Sequence, residues 1–324
     1  MLISVRASTT MLLLVALVAG CGDASGDRRA APRPAVGYPF GGAAHVPGEE
    51  RAIHIAAENV LIAACMRERG FQFLPQPGPP GGSDPDNPYG LLTPDDARTH
   101  GYRIAEDMMR RPPTVDEDPN EAARAALPAP RRAAYDAALL GTEQHEEEIP
   151  VPGGGVFTYR SDACAYTARR ALFGADWDGL YVTVQAATNA VVDEVLRSAP
   201  FTRAQRDWSS CMGGRGHRAS GLADPRRQVA QALAGTGAAG PSDAPTASPT
   251  ASAAPLSRRA MRLEQRVAVA DAACQDHSGL WAVAAVAQEA AEARQPAATL
   301  RAADRLRAAR ATALAAARRL LTAR

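Results

Sequence analysis

The 324-residue chain contains no lysine; all 36 of its basic side chains are arginine, set against 35 acids. A net charge of +1 supplies no overall field to draw in nucleic acid, so no nucleic-acid partner is expected. The arginine bias accompanies abundant alanine and reads as coding bias in a GC-rich bacterial genome, not as a binding device. Catalytic signatures are equally scarce. The six histidines, His45, His54, His100, His145, His217 and His277, form neither an HExxH motif nor a close His-Cys ligand pair. Ser209 and Ser210 lack a GxSxG frame, and the Gly-Gly-Arg-Gly at Gly213 to Gly216 lacks the preceding strand and the Lys-Ser of a phosphate loop. No cysteine lies close enough to another for a four-cysteine zinc site. The sequence therefore assigns no catalytic residue, no cofactor and no metal ligand.

Long apolar runs are also missing, with one exception at the N-terminus. Arg6 precedes an apolar run from Met11 to Ala19 that ends in Leu-Val-Ala-Gly-Cys, Leu17 to Cys21. The run is too short to span a bilayer as a helix. A basic start, an apolar stretch and small residues before a cysteine are similar to the lipobox of bacterial lipoproteins. The resemblance implies that residues 1–20 are a signal peptide, that Cys21 is lipidated, and that the mature chain sits on the outer face of the cell membrane.

Two segments lack hydrophobic periodicity. Residues 21–48 read as a flexible tether, and 234–255, rich in Ala, Pro, Ser and Thr, as a disordered linker, because neither carries enough large apolar side chains to offset ordering entropy. Between them, 49–233 holds a first helical repeat and the start of a second, which 256–324 completes.

With Cys21 set aside, Cys65, Cys164, Cys211 and Cys274 remain, and an even number in an exported chain favours disulfides. Four thiols allow three connectivities. Ile53, Ala57, Leu61 and Cys65 recur along one helical face that closes at Arg67, Arg69 and Gly70. A second copy follows Pro200: Thr202 and Gln205 form a capping-box pattern, Ala204, Trp208 and Cys211 share a face, and Gly213, Gly214 and Gly216 stop the helix. Each copy precedes an element with an Asp shortly before its cysteine. The first is expected to begin a helix at Ser161, and the second has Ser257 as its N-cap. This parallel order predicts an internal duplication with Cys65 bonded to Cys164 and Cys211 to Cys274. The fold class is mainly α: a disulfide-stapled helical bundle with long irregular Pro/Gly-rich segments.

Residues 72–154 are expected to pack irregularly, with short helices near Pro94 to His100, Pro119 to Leu127 and Arg131 to Leu140, and an edge hairpin about Gly153 to Gly155. Leu180, Val184, Ala187, Val191 and Val195 predict a long helix. The acids of Asp116 to Glu121 and of Glu143 to Glu148 read as a solvated turn and a solvated loop. From Pro296 to Arg324 there are seven arginines and one acid, Asp304. Ala303, Leu306, Leu314, Ala317 and Leu321 share one face of a helix there. Arg301, Arg305 and Arg319 lie opposite, as candidates for contact with an anionic surface, and Arg310 interrupts the apolar side.

The segments Arg-Asp-Trp-Ser-Ser-Cys-Met-Gly-Gly-Arg-Gly-His (206–217), Asp-Ala-Cys-Ala-Tyr (162–166), Tyr-Gly-Leu-Leu-Thr-Pro-Asp-Asp (89–96) and Ala-Asp-Ala-Ala-Cys-Gln-Asp (270–276) resemble a family of actinobacterial secreted proteins and lipoproteins of uncharacterised function. The likeness spans most of Ala57 to Arg324. It implies the location and the cysteine framework and brings no catalytic residues with it. The expected role is a binding or structural module of the cell envelope, held to the membrane through Cys21, with an anionic envelope polymer or a protein as partner. The alternative is an extracytoplasmic enzyme acting on cell-wall material.

Overall fold

The computed structural model describes residues 34–79, 85–109, 118–234 and 253–323. In chain order the elements are α1 (Pro39–Gly42), α2 (Gly48–Glu68), α3 (Pro94–Thr99), α4 (Ile104–Met109), α5 (Pro119–Ala125), α6 (Ala129–Leu140), β1 (Glu146–Pro150), β2 (Val156–Arg160), α7 (Cys164–Phe173), α8 (Trp177–Arg197), α9 (Ala199–Gly214), α10 (Asp224–Leu233), α11 (Ala253–His277), α12 (Leu280–Ala293) and α13 (Ala297–Thr322). Two groups of helices form the bundle. In one, α2 packs on α7 and α13, and α13 also packs on α8; in the other, α11 packs on α9 and carries α3, α4 and α10. Helices α8 and α12 join the groups.

Both disulfides form with the connectivity expected from the repeat, Cys65 to Cys164 and Cys211 to Cys274, each with Cα atoms 5.6 Å apart. The two glycine-terminated helices end identically. In α2, the Phe71 N–H reaches the Met66 carbonyl at 2.9 Å and the Gly70 N–H reaches Arg67 at 3.0 Å. In α9, His217 reaches Met212 at 2.9 Å and Gly216 reaches Gly213 at 3.0 Å. These are the paired bonds of a Schellman cap, which needs a left-handed residue; Gly70 and Gly216 supply it at φ 77° and 85°. Met66 and Met212 are both fully buried beneath their caps.

The partner elements are less alike. Cys164 is the first residue of α7, whereas Cys274 lies in the last turn of α11. The expected start at Ser161 fails because Ser161 is tied to the hairpin instead, its N–H donating to the His145 carbonyl at 2.9 Å and its hydroxyl to the same oxygen at 3.2 Å. Ser257 is not an N-cap either, since α11 already begins at Ala253. For α9 the cap is Ser198, whose hydroxyl accepts from the Phe201 N–H at 3.3 Å; Gln205 instead donates to the Ser220 carbonyl. The repeat thus covers the capped helix ends and the pairing, and stops short of the partner helices.

The tether reading for 21–48 needs correction at its C-terminal end. Val36, Phe40, Ala43 and Ala44 are buried, the last three in a core shared with α8 and α13. Phe40 holds a left-handed backbone at φ 55°, unusual for a side chain of that size and sustained by its burial. Arg310 explains the hold. Its guanidinium donates to the Gly42 carbonyl at 2.8 Å and to that of His45, and it meets the Glu50 carboxylate at 3.2 Å. The arginine that interrupts the apolar face of α13 therefore clasps the N-terminal strap. Residues 21–33 and most of the 234–255 linker lie outside the described residues; Ala253 to Pro255 belong to α11.

The Pro/Gly-rich middle is built from the three expected short helices plus α4, and from a hairpin in which Glu146 pairs with Arg160 and Glu147 with Tyr159. Glu146 to Glu148 are strand, not loop, because cross-strand partners meet their charge: the Tyr159 hydroxyl donates to Glu147 at 2.6 Å. Of the other acidic run, Asp118 caps α5 by accepting from the Asn120 N–H at 2.8 Å. Helices α3 and α4 have too little apolar surface to stand alone and dock through buried polar anchors on α11. The Glu264 carboxylate accepts from the N–H groups of Ile104 at 2.6 Å and Ala105 at 2.9 Å, satisfying two orphan donors at the start of α4. Gly101, at φ 65°, passes so close to Glu264 that a Cβ would lie 2.6 Å from its side chain. Asp271, fully buried, accepts from Tyr102 at 2.7 Å, Trp208 at 2.8 Å and Gln275 at 2.9 Å. Gln275 in turn accepts from the Leu92 N–H at 2.7 Å. Three separate stretches of the sequence, 89–96, 206–217 and 270–276, meet in this network.

Candidate functional site

Helices α2 and α8 both rest on α13, and between them lies an open cleft of about 760 Å³. Helical spacing decides what lines it. On α2, Arg51, His54, Ile55 and Glu58 fall on one face; on α8, Trp177, Tyr181, Gln185, Thr188 and Val192 recur three or four residues apart. Helix α7 adds Arg169 and Phe173. The N-terminal strap closes the remaining side with Tyr38, His45 and Val46.

The aromatic rings form a wall. Phe173 stacks on Trp177 at 4.4 Å between centroids, and Tyr181 continues the series at 6.2 Å. On the strap, Tyr38 lies flat on His45 at 3.8 Å. Among these rings are polar groups in unusual settings. Thr188 is 6% exposed and its hydroxyl has no hydrogen-bond partner among the described residues. Gln185 donates to the Asn189 side-chain oxygen at 2.8 Å. Arg169 is aimed by Asp178, a carboxylate 3% exposed, which accepts from its Nε at 2.7 Å. Burial pushes the Glu58 carboxyl up, against the opposing pull of Arg169.

His54 sits in the floor, 4% exposed, with the Phe173 ring edge-on at 4.9 Å and Glu50 Oε1 at 4.0 Å from its Nε2. Burial, reinforced by the Arg310 charge, lowers its pKa from 6.5 to about 4. The imidazole is therefore neutral at pH 7. Between those values the unfolded chain binds a proton that the folded one refuses, so stability must fall as pH drops from 6.5 towards 4. Urea titrations should show a loss of up to about 3 kcal/mol across that window, absent in His54→Gln. Glu50, whose carboxyl is pushed up by burial, opposes the trend at the acid end, which makes the difference between the two proteins the quantity to measure.

The structure does not bring together His54, His145 and His217. His145 lies at the hairpin, within 3.0 Å of the Thr142 hydroxyl and 3.3 Å of Asp162, and His217 follows the end of α9. Among the described residues no group of three His, Cys, Asp or Glu side chains could hold a metal ion. Cys21 lies outside the described residues. Arg301, Arg305 and Arg319 are exposed on the outer face of α13, and Arg305 pairs with Asp176 at 2.7 Å. Sequence reading missed the cleft because it followed the apolar stripe of α8 through Leu180 and Val184. The signal lay on the adjoining face, where Trp177, Tyr181, Gln185 and Thr188 repeat at helical spacing. No family model, curated protein or solved structure matches the chain.

Proposed function

We propose that the chain is a lipid-anchored binding module on the outer face of the cell membrane, with the cleft between α2 and α8 as its ligand site. The observation that carries the reading is the cleft: it has the size usual for small-ligand sites, roughly 300 to 1,000 Å³, and combines ring surfaces with converging polar groups. Two long-range disulfides agree with an oxidising compartment. The Leu17 to Cys21 pattern supports the anchor, and the short sequence resemblances support the same location. Binding is favoured over catalysis because Asp178, whose charge acts on Glu58, is already held by Arg169, and the other carboxylate that lines the cleft, Asp193, is paired with Arg197.

The anchor is tested by replacing Cys21 with Ala. The variant is expected to leave the membrane fraction for the medium, or to accumulate as unprocessed precursor. A fully processed variant retained on the membrane counts against lipidation.

A further inference from the structure

We infer that His54 makes the rim of the cleft acid-sensitive: a proton on its ring displaces the Arg310 guanidinium from the carbonyls of Gly42 and His45, and the segment from Gly42 to Val46 swings away from α13. This rests on the reading of the cleft as a ligand site and adds control of access to it.

Position is the first argument. Residues 42–46 lead through Pro47 into α2, and Ala44, His45 and Val46 line the cleft together with His54. Arg310 holds this rim through the Gly42 and His45 carbonyls, and Arg51 donates to the Val46 carbonyl at 3.0 Å. Just ahead, Phe40 is fixed in the core with Trp177 and Leu306. Gly41 and Gly42, at φ 61° and 70°, form a turn between anchor and rim that glycine reshapes at little steric cost. The rim can therefore move while the anchor stays.

The second argument is the cluster behind the rim. Glu50 Oε1 lies 3.2 Å from Arg310 Nε and 4.0 Å from His54 Nε2. His54 Nε2 is shut off from solvent and has no hydrogen-bond partner among the described residues. A proton placed there meets no water, and one carboxylate oxygen must answer two cations. Moving Arg310 and the rim outward relieves both problems. The coupling is reciprocal: the Arg310 charge opposes the proton on His54, so that proton opposes the seat of Arg310.

The other neighbours leave His54 to Glu50. On α13, Arg318 adds a second positive charge that acts on Glu50. Further along α2, Glu58 is subject to Arg169 of α7 and Asp178 of α8, which are paired with each other. Helix α7 meets His54 with the edge of Phe173. On α6, which also packs on α2, Arg131 and Arg132 donate to the Gly70 and Leu127 carbonyls, and Asp136 pairs with Arg124. His45, on the rim itself, is titratable and stacks on Tyr38.

The test compares hydrogen exchange of the full-length mature chain in mild detergent at pH 7.5 and 5.5, each rate divided by that of an unstructured peptide. Lower pH is avoided because burial pushes the Glu50 carboxyl up, and its protonation opposes opening. With the His54 pKa at about 4 in the closed form and 6.5 once exposed, rim opening should rise roughly tenfold. The readout is the His45 N–H, which donates to the Gly42 carbonyl at 3.0 Å. Exchange in α11 and helix content by circular dichroism should not change. His54→Leu and His54→Gln should both lose the response, whereas a response owed to His45 would survive them. In Arg310→Gln the His54 ring, followed by NMR, should titrate closer to 6.5 than in wild type. The switch is overturned if the rim stays protected at pH 5.5, if it opens only together with α11, or if both His54 variants still respond. An unmoved His54 titration in Arg310→Gln overturns it as well. No ligand enters these measurements, so their failure leaves the binding role of the cleft standing, and a failure to bind ligand leaves the switch standing.

Discussion

Reduction of the two disulfides should unfold the chain at neutral pH. Cys65 and Cys164 are 99 residues apart in sequence, and Cys211 and Cys274 are 63 apart. On the loop-entropy argument the first closure stabilises the fold by up to about 5 kcal/mol and the second by about 4, although measured values often fall lower. A typical domain is stable by only about 5 to 15 kcal/mol, so losing both removes most of the margin. Circular dichroism in strong reductant should show helix content collapsing, and a Cys65→Ala, Cys164→Ala double variant should unfold at clearly lower urea. Persistence of a cooperative transition at the wild-type urea midpoint in the reduced protein would show that the bonds stabilise little. The first bond also ties α2 to α7, two walls of the cleft, so ligand binding should weaken in that variant before the fold is lost.

Asp271→Ala is expected to cost about 3 to 5 kcal/mol, more than any surface change in the molecule. The substitution removes the acceptor for Tyr102, Trp208 and Gln275 together, leaving three buried donors unpaired, each at about 1 to 3 kcal/mol before any relaxation. Asp271→Asn keeps one acceptor oxygen and should cost less. The pH dependence provides a second readout. Burial raises the Asp271 carboxyl pKa above 3.8, against the lowering effect of its three donors. The folded state therefore holds this proton to higher pH than the unfolded chain, and its contribution to stability declines as pH rises through that window. Asp271→Asn should lose that slope. Equal stability of Asp271→Ala and wild type would mean that the network contributes nothing net.

The contrast between these two sites shows what a sequence can disclose. The disulfide pairing was legible because Cys65 and Cys211 each precede the same Met, Arg and Gly signals, and left-handed glycine caps are local chemistry. The helices α3, α5, α6, α8 and α13 were legible for the same reason, through proline starts and apolar spacing. Asp271 was visible only as an acid near a cysteine. Its partners Tyr102 and Trp208 stand 169 and 63 residues away, and no local pattern announces such pairings. The strap was misread because Gly, Pro and Ala look unstructured until Gly42 and Arg310, 268 positions apart in sequence, are joined by a hydrogen bond. The cleft depends on five separate segments for the same reason.

The clasp of Arg310 on the strap has a mechanical side. Any pull at Pro34 meets first Val36, buried in the core of α9, α11 and α12, and then the carbonyls of Gly42 and His45, held by one guanidinium on α13. A 26-residue helix packed against α2, α7 and α8 spreads that load across the first half of the bundle. Tyr38, His45 and Val46 lie on the loaded stretch and also form one rim of the cleft. Strain along this stretch would therefore reach the rim of the cleft, while Val36 passes part of the load into the α9 to α11 half, which is braced by its own disulfide.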